Sequence, residues 1–408
     1  MACDFCESND KNLKYVRVVL GLRDICICEN CYRDIGKVAG FPISDKESKK
    51  AVKKGTNNIL KPSEIKAKLD RRVIGQEDAK KVLSVGIYNH YKRLESGKTN
   101  IKKSNIMLVG STGVGKTELA RTCAEILDVP FVIADATTIT EAGYVGDDAE
   151  NIILKLLQTC DFDVEKAQRG IVYIDEIDKI ARKGENVSTT RDVGGEGVQQ
   201  ALLKIVEGAE VQVQPQGGRT HPHAQKITVD TSEILFICGG AFEGLTMNEK
   251  VKKKHLGFTS VAEDSDKSDD IKVDAKALTK MGLIPEFVGR FPIIVKLNKL
   301  TKSDLARILV EPDNSIIKQY TELVQLDGVS FKVKDSVIDY IAQKAIENGT
   351  GARGLKSILE DSMTDLMYNL PNEKDVGYVS LDIKDDKIIY RTRKIRKKIE
   401  KENAQKLA

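Results

Sequence analysis

The sequence predicts an α/β protein: a parallel sheet with helices on both faces, followed by a smaller, mainly helical α+β unit and preceded by a small cysteine-rich module. Three observations lead there. Strand-like apolar runs alternate with helical periodicity from about residue 61 to residue 296. Beyond Lys299-Leu-Thr-Lys-Ser-Asp-Leu305 the chain turns largely helical, with a few short strand-like runs such as Val376-Gly-Tyr-Val-Ser-Leu-Asp-Ile383. Five of the eight cysteines fall within the first 31 residues. The expected segments are 1–45 for the cysteine module, 46–60 for a linker, 61–296 for the large unit, 297–390 for the small unit and 391–408 for a basic tail.

In the first segment, Cys3-x2-Cys6 and Cys28-x2-Cys31 form two pairs separated by 21 residues, just outside the usual four-cysteine spacing. Two such knuckles deliver four thiolates to a tetrahedral Zn2+, and a module this small needs a metal to stay folded. Cys26 leaves a second pairing with Cys31 open; two-residue spacing in both knuckles favours Cys28. The first residues have neither the basic nor the apolar region of a secretory signal, so a cytoplasmic location is expected and disulfides are disfavoured. Residues 44–58 are polar and charged and read as a flexible linker, after which Pro62-Ser-Glu64 suits a helix start.

The run Gly110-Ser-Thr-Gly-Val-Gly-Lys-Thr117 matches the phosphate-binding pattern G-x-x-x-x-G-K-[ST] at every fixed position. A strand, Asn105 to Val109, precedes it, and a helix beginning near Glu118 follows. Gly110, Gly113 and Gly115 let the backbone turn its amides inward around phosphate oxygens, with Ser111, Thr112 and Val114 completing the loop. Lys116 is expected to reach the β- and γ-phosphates of ATP, and the Thr117 hydroxyl to hold Mg2+. Downstream, Ile171-Val-Tyr-Ile-Asp-Glu176 is an apolar strand ending in two carboxylates. Asp175 is placed to hold magnesium through its water shell and Glu176 to polarise the attacking water, so hydrolysis is expected as well as binding.

Composition narrows the class further. With 408 residues, 41% apolar and 31% charged, the chain reads as a multidomain soluble protein, and no stretch approaches the 18 apolar residues of a membrane span. Basic and acidic side chains number 65 and 61 and there is no tryptophan, which gives no electrostatic or stacking case for nucleic acid. The basic run Arg391-Thr-Arg-Lys-Ile-Arg-Lys-Lys398 reads as a solvated helix or a disordered end. No G-x-S-x-G elbow is present, and His90, His221, His223 and His255 make no nucleophile arrangement, which argues against a self-contained ATP-dependent protease. Cys123, Cys160 and Cys238 lie in apolar segments and read as core.

Taken in order, the four cysteines, Val73-Ile-Gly-Gln-Glu-Asp-Ala79, the phosphate loop, Gly143-Tyr-Val-Gly146, Ile174-Asp-Glu-Ile-Asp178, Gly194-Gly-Glu-Gly-Val-Gln-Gln-Ala201, Ile237-Cys-Gly-Gly-Ala-Phe242, Leu256-Gly-Phe258, Pro285-Glu-Phe-Val-Gly-Arg290 and Gly351-Ala-Arg353 form one series. The series resembles the ClpX family of AAA+ ATPases, across the zinc module and both ATPase units. The resemblance implies a homohexamer that unfolds tagged protein substrates, threads them through a central pore into the ClpP peptidase, and receives adaptors at the zinc module. It implies that Val73 and Ile74 pack on the adenine, that Arg290 is a finger supplied to a neighbour's γ-phosphate, and that Arg353 senses the nucleotide from the small unit. Tyr144 with Val145 corresponds to the pore paddle, Arg191 to the second pore loop, and Arg219 and His221 to the pore entrance. Thr220 stands there in place of the family's usual lysine and removes a positive charge. Leu256, Gly257 and Phe258 correspond to the peptidase-docking loop. The family's polar sensor after the strand Glu233 to Ile237 has no obvious side chain in Cys238-Gly-Gly240.

Two other readings belong to different classes. A zinc-bearing ATPase acting on nucleic acid is opposed by the balanced charge, and a non-hydrolysing scaffold by Glu176 and Arg290.

Overall fold

The computed structural model describes residues 6, 15–20, 23–28, 31, 59–97, 100–140, 148–181, 195–214, 226–243, 245, 273–373 and 376–394, of which 15–20 and 23–25 by their backbone alone. Cys3, Tyr144, Val145, Arg191, Arg219, His221, Leu256, Gly257 and Phe258 lie outside the described residues. The chain divides into two compact units, Met1–Asn58 and Ile59–Ala408. In the first, β1 (Tyr15–Leu20) and β2 (Arg23–Cys28) form an antiparallel hairpin with Tyr15 opposite Cys28.

The second unit opens with α1 (Pro62–Asp70), where proline occupies the first turn and the Glu64 carboxylate accepts from Lys61 N at 2.7 Å. Both features suit a helix start, since early N–H groups have no partner within the helix. α2 (Glu77–Ser96) stops at Gly97, whose φ of 60° is a left-handed cap. Then come β3 (Ile106–Val109), α3 (Lys116–Leu127), β4 (Phe131–Asp135), α4 (Ala149–Gln158), α5 (Val164–Gln168) and β5 (Ile171–Asp175). After α6 (Glu196–Glu207), β6 (Glu210–Val213) and β7 (Ile227–Asp230) make an antiparallel hairpin. β8 (Leu235–Gly240), α7 (Ala275–Lys280), α8 (Pro285–Gly289) and β9 (Ile293–Lys296) complete this part.

Among the described residues, β4, β5, β8, β3 and β9 form one parallel sheet in that order. Its middle strands β5, β8 and β3 read as continuous apolar runs because both faces are covered. Alternate side chains divide between two cores: Ile106, Leu108, Ile171 and Tyr173 pack with α1, α2 and α3, whereas Met107, Val109, Val172 and Ile174 pack with α4, α6 and α8. The chain leaves β3 in mid-sheet for β4 at the edge, so the connection from β3 opens a crevice at the carboxyl ends of the strands.

The remaining segment consists of α9 (Lys302–Val310), α10 (Ile316–Leu326), β10 (Ser330–Val333), α11 (Asp335–Glu347), α12 (Ala352–Asn369), β11 (Val376–Lys384) and β12 (Lys387–Lys394). Its separate core gathers Leu305, Val324, Ile341, Leu355, Leu359 and Val379. β10 pairs parallel and β12 antiparallel with β11.

Two local expectations differ from the observed elements. The strand expected to end at Ile237 continues through Gly239 and Gly240, because Tyr173 and Phe242 pack where side chains at these positions would stand. Arg391–Lys394, expected in the solvated tail, belong to β12, where Arg391 Nη2 forms an ion pair with Asp382 Oδ2 at 3.0 Å. Cross-strand pairing and that carboxylate outweigh the charge density. Among the described residues, no helix is long and apolar enough to cross a membrane.

Candidate active site

The loop from Gly110 to Thr117 leaves the carboxyl end of β3 and runs into the first turn of α3. It is anchored on both sides: Gly110 N donates to Gly240 O at 3.1 Å and Leu297 N donates to Val109 O at 2.7 Å. Gly113 and Gly115 have φ of 76° and 100°, the left-handed region that a side chain would strain. Lys116 is buried, and its Nζ donates to Gly110 O at 2.6 Å and Ser111 O at 3.0 Å. Burial holds its amine below the usual lysine value, opposed by Asp175 and Asp178. The charge of Arg353, in the small segment, acts in the same direction as burial.

β5 lies one strand away from β3 across β8, and its end carries the carboxylates. Asp175 is held by three donors: Thr117 Oγ1 at 3.0 Å, Tyr173 OH at 3.2 Å and Glu176 N at 3.0 Å. Glu176 has φ of 56°, uncommon for a non-glycine residue, and so turns out of the strand direction while Asp175 faces Thr117. Asp178 accepts from Ala241 N at 2.9 Å and fixes the end of β8 beside them. These donors and acceptors fit a magnesium nucleotide: inward amides and an ammonium for phosphate, with a hydroxyl and a carboxylate for the metal's shell.

Two contacts tie the loop to the small segment. Ala352 N donates to Gly113 O at 3.1 Å, one residue before Arg353. Gln76, buried and left-handed with φ of 60°, donates to Val114 O at 3.4 Å and Asn298 O at 2.8 Å, and accepts from Asn298 N at 2.9 Å. Val73 and Ile74 are buried, and Val73 shares a core with Val114 of the loop. Glu118 follows in the first turn of α3, half-buried.

Arg290 is the expected site residue that the fold keeps apart. Three residues beyond it, Ile293 pairs with Ile106 at the start of β3, whereas the loop leaves the far end, where Val109 pairs with Lys296. Three residue steps along β3 separate these ends by about 10 Å before loops are counted. Arg290 therefore stands at the opposite end of the strands, their amino ends, from its own phosphate loop.

In the first unit, the Sγ atoms of Cys6, Cys28 and Cys31 lie within 4.8 Å of one another, with Cys6 and Cys28 3.6 Å apart. Zinc–sulfur bonds of about 2.3 Å at tetrahedral angles place sulfurs roughly 3.8 Å apart, so the donor set fits zinc. Cys26 is not part of this group.

A family model of the AAA domain (Cdc48 subfamily) matches residues 101–294, and one of the C-terminal, D2-small domain of ClpB protein matches 300–379. Three curated relatives carry the name ATP-dependent Clp protease ATP-binding subunit ClpX. That of Treponema denticola is 50% identical over 386 residues, 92% of this chain and 91% of its own. That of Bacteroides thetaiotaomicron is 48% identical over 391 residues, covering 93% and 94%, and that of Borrelia duttonii 48% over 370 residues, covering 88% and 85%. The chain belongs to the ClpX family.

Within this ClpX-family chain, some site residues escaped sequence reasoning. Tyr173 reads as an ordinary strand residue, and its hydroxyl role depends on Gly239, where any side chain would collide with it. Gln76 stands inside the word Val73 to Ala79, but its partner Asn298 is 222 positions away. Glu207, an ion-pair partner of Arg290 at 2.5 Å, carried no signal at all.

Proposed function

We propose that this chain is the ATP-binding, protein-unfolding subunit of a Clp protease, acting as a homohexameric ring on a ClpP-type peptidase. The observation that carries the reading is the Thr117–Asp175–Glu176 arrangement at the phosphate loop, which suits hydrolysis rather than binding alone. Bound magnesium ATP supplies the bond whose cleavage drives the ring. Lys116 and the loop amides hold the phosphates, while Thr117 and Asp175 orient the metal's shell. Glu176 takes the proton of the attacking water, and Arg290 reaches the γ-phosphate from a neighbouring subunit, consistent with its place at the end of the strands opposite its own loop. Arg353, Ala352 and Gln76 pass the nucleotide state to the small segment through Gly113 and Val114.

Tyr144, Val145, Arg191, Arg219 and His221 are assigned to the pore, and Leu256-Gly-Phe258 to peptidase docking. Cys3, Cys6, Cys28 and Cys31 are assigned to zinc in a module that receives adaptors. The docking assignment is tested by deleting Leu256 to Phe258: ATP turnover is expected to stay at the parent level while co-sedimentation with the peptidase is lost. Retained co-sedimentation removes the loop from this role. Sizing with a slowly hydrolysed ATP analogue checks the ring, which is expected to elute as a hexamer.

A further inference from the structure

Arg290 is held by its neighbours in a way that its exposed position does not require. Its Nη2 meets Glu207 Oε1 at 2.5 Å, while its backbone carbonyl accepts from Asn105 Nδ2 at 3.0 Å. Asn105 is only 2% exposed. The same Nδ2 reaches Val206 O at 3.5 Å, one residue before Glu207, and Oδ1 accepts from Phe236 N at 3.2 Å. One buried amide thus holds the end of α6 and the residue after α8 against β3 and β8.

We propose that Glu207 is a positioning residue for Arg290, orienting its guanidinium toward the nucleotide of the neighbouring subunit. The inference rests on the reading of Arg290 as a finger that acts across the subunit interface. Arginine presents five donors in a rigid fork, so one nitrogen on Glu207 leaves others for phosphate oxygens. An arginine otherwise retains much rotamer freedom, and removing it before the neighbour arrives lowers the cost of reaching the reactive geometry. Half-exposed ion pairs contribute little to folding, so the fold itself has small need of this one. Asn105 adds the precision by fixing both backbones, and a side-chain pair on two fixed backbones has little slack.

Mixed rings provide the test, with turnover and melting temperature as readouts. Glu207→Ala is expected to melt as the parent does and to turn over ATP about tenfold more slowly. Glu176→Gln subunits have a dead site of their own but an intact Arg290 and Glu207. Mixing them with Glu207→Ala subunits is expected to raise turnover per Glu207→Ala subunit, because that subunit's own loop then meets a correctly held finger. Arg290→Ala subunits mixed in the same way are expected to recover too. If Arg290→Ala recovers and Glu207→Ala does not, or if Glu207→Ala alone turns over at the parent rate, the assignment of Glu207 is overturned and that of Arg290 stands. If Arg290→Ala itself gains nothing on mixing, the trans finger fails and this inference falls with it. Should Glu207→Ala prove unstable, Glu207→Met, which keeps the length of the side chain and lacks a carboxylate or amide acceptor for Arg290, is run through the same mixtures with the same criteria.

Discussion

Glu176→Gln is expected to bind ATP and assemble as the parent does, while hydrolysis falls by roughly three orders of magnitude, within the range of losing a general base. The geometry gives the reason. Asp175 ends β5 with its carboxylate turned to Thr117, and the backbone then enters the left-handed region at Glu176, with φ of 56°. That conformation costs a non-glycine residue about 1–3 kcal/mol and persists only where neighbours fix it. Here the Asp175 carboxylate holds Glu176 N at 3.0 Å, and a helical turn from Ile177 to Ile180 starts at once. The strain separates the directions of two adjacent carboxylates, which suits the proposed division between the metal's shell and the attacking water. Glutamine keeps the size and polarity of Glu176 and lacks its basicity. Nucleotide titration and phosphate release distinguish the outcomes: normal binding with lost release supports the role, and parent-level release removes Glu176 from it.

Gly113→Val is expected to weaken ATP binding strongly and to loosen the small segment from the phosphate loop. A Cβ at this position would lie 2.7 Å from Thr350 O and 3.3 Å from Ala352 N, and the backbone φ of 76° is hostile to a β-branched side chain. The backbone contact costs about 1–3 kcal/mol as overpacking, and the left-handed conformation adds roughly 1–2 kcal/mol. Relief comes from separating Gly113 from the start of α12, which breaks the Ala352–Gly113 hydrogen bond and withdraws Arg353. Gly115→Ala is the matched comparison, because φ there is 100° but no atom lies within 4 Å of the added Cβ. Nucleotide affinity and proteolytic sensitivity of the junction near Asn298 are the measurements. A Gly113→Val chain with parent affinity and an unaltered junction contradicts the coupling.

The phosphate loop and the strand ending in Asp175 and Glu176 were legible in the sequence because their chemistry demands fixed residue types at fixed short spacing. The parallel sheet was legible for a related reason: strands buried on both faces must be apolar throughout, and Ile106 to Val109 and Ile171 to Ile174 are. What stayed hidden acts through long-range contact. Asn105 meets Arg290 across 185 positions and Gln76 meets Asn298 across 222, and neither pair leaves a local pattern. Gly239 and Gly240 misled in the opposite direction, since adjacent glycines normally end a strand. Here they continue it because Tyr173 and Phe242 fill the space above them. The family resemblance located Arg290, but only the strand register revealed that it stands away from its own loop.

Hydrolysis at this site is proposed to do mechanical work on protein. That role is tested most directly by following a folded fluorescent protein with an unstructured C-terminal extension, with a ClpP-type peptidase present to make unfolding irreversible. With ATP, fluorescence is expected to disappear and ATP turnover to rise; with Glu176→Gln in place of the parent, fluorescence is expected to persist. Persistent fluorescence with the parent protein, accompanied by ATP turnover that responds only to DNA or RNA, would contradict the protein-unfolding role.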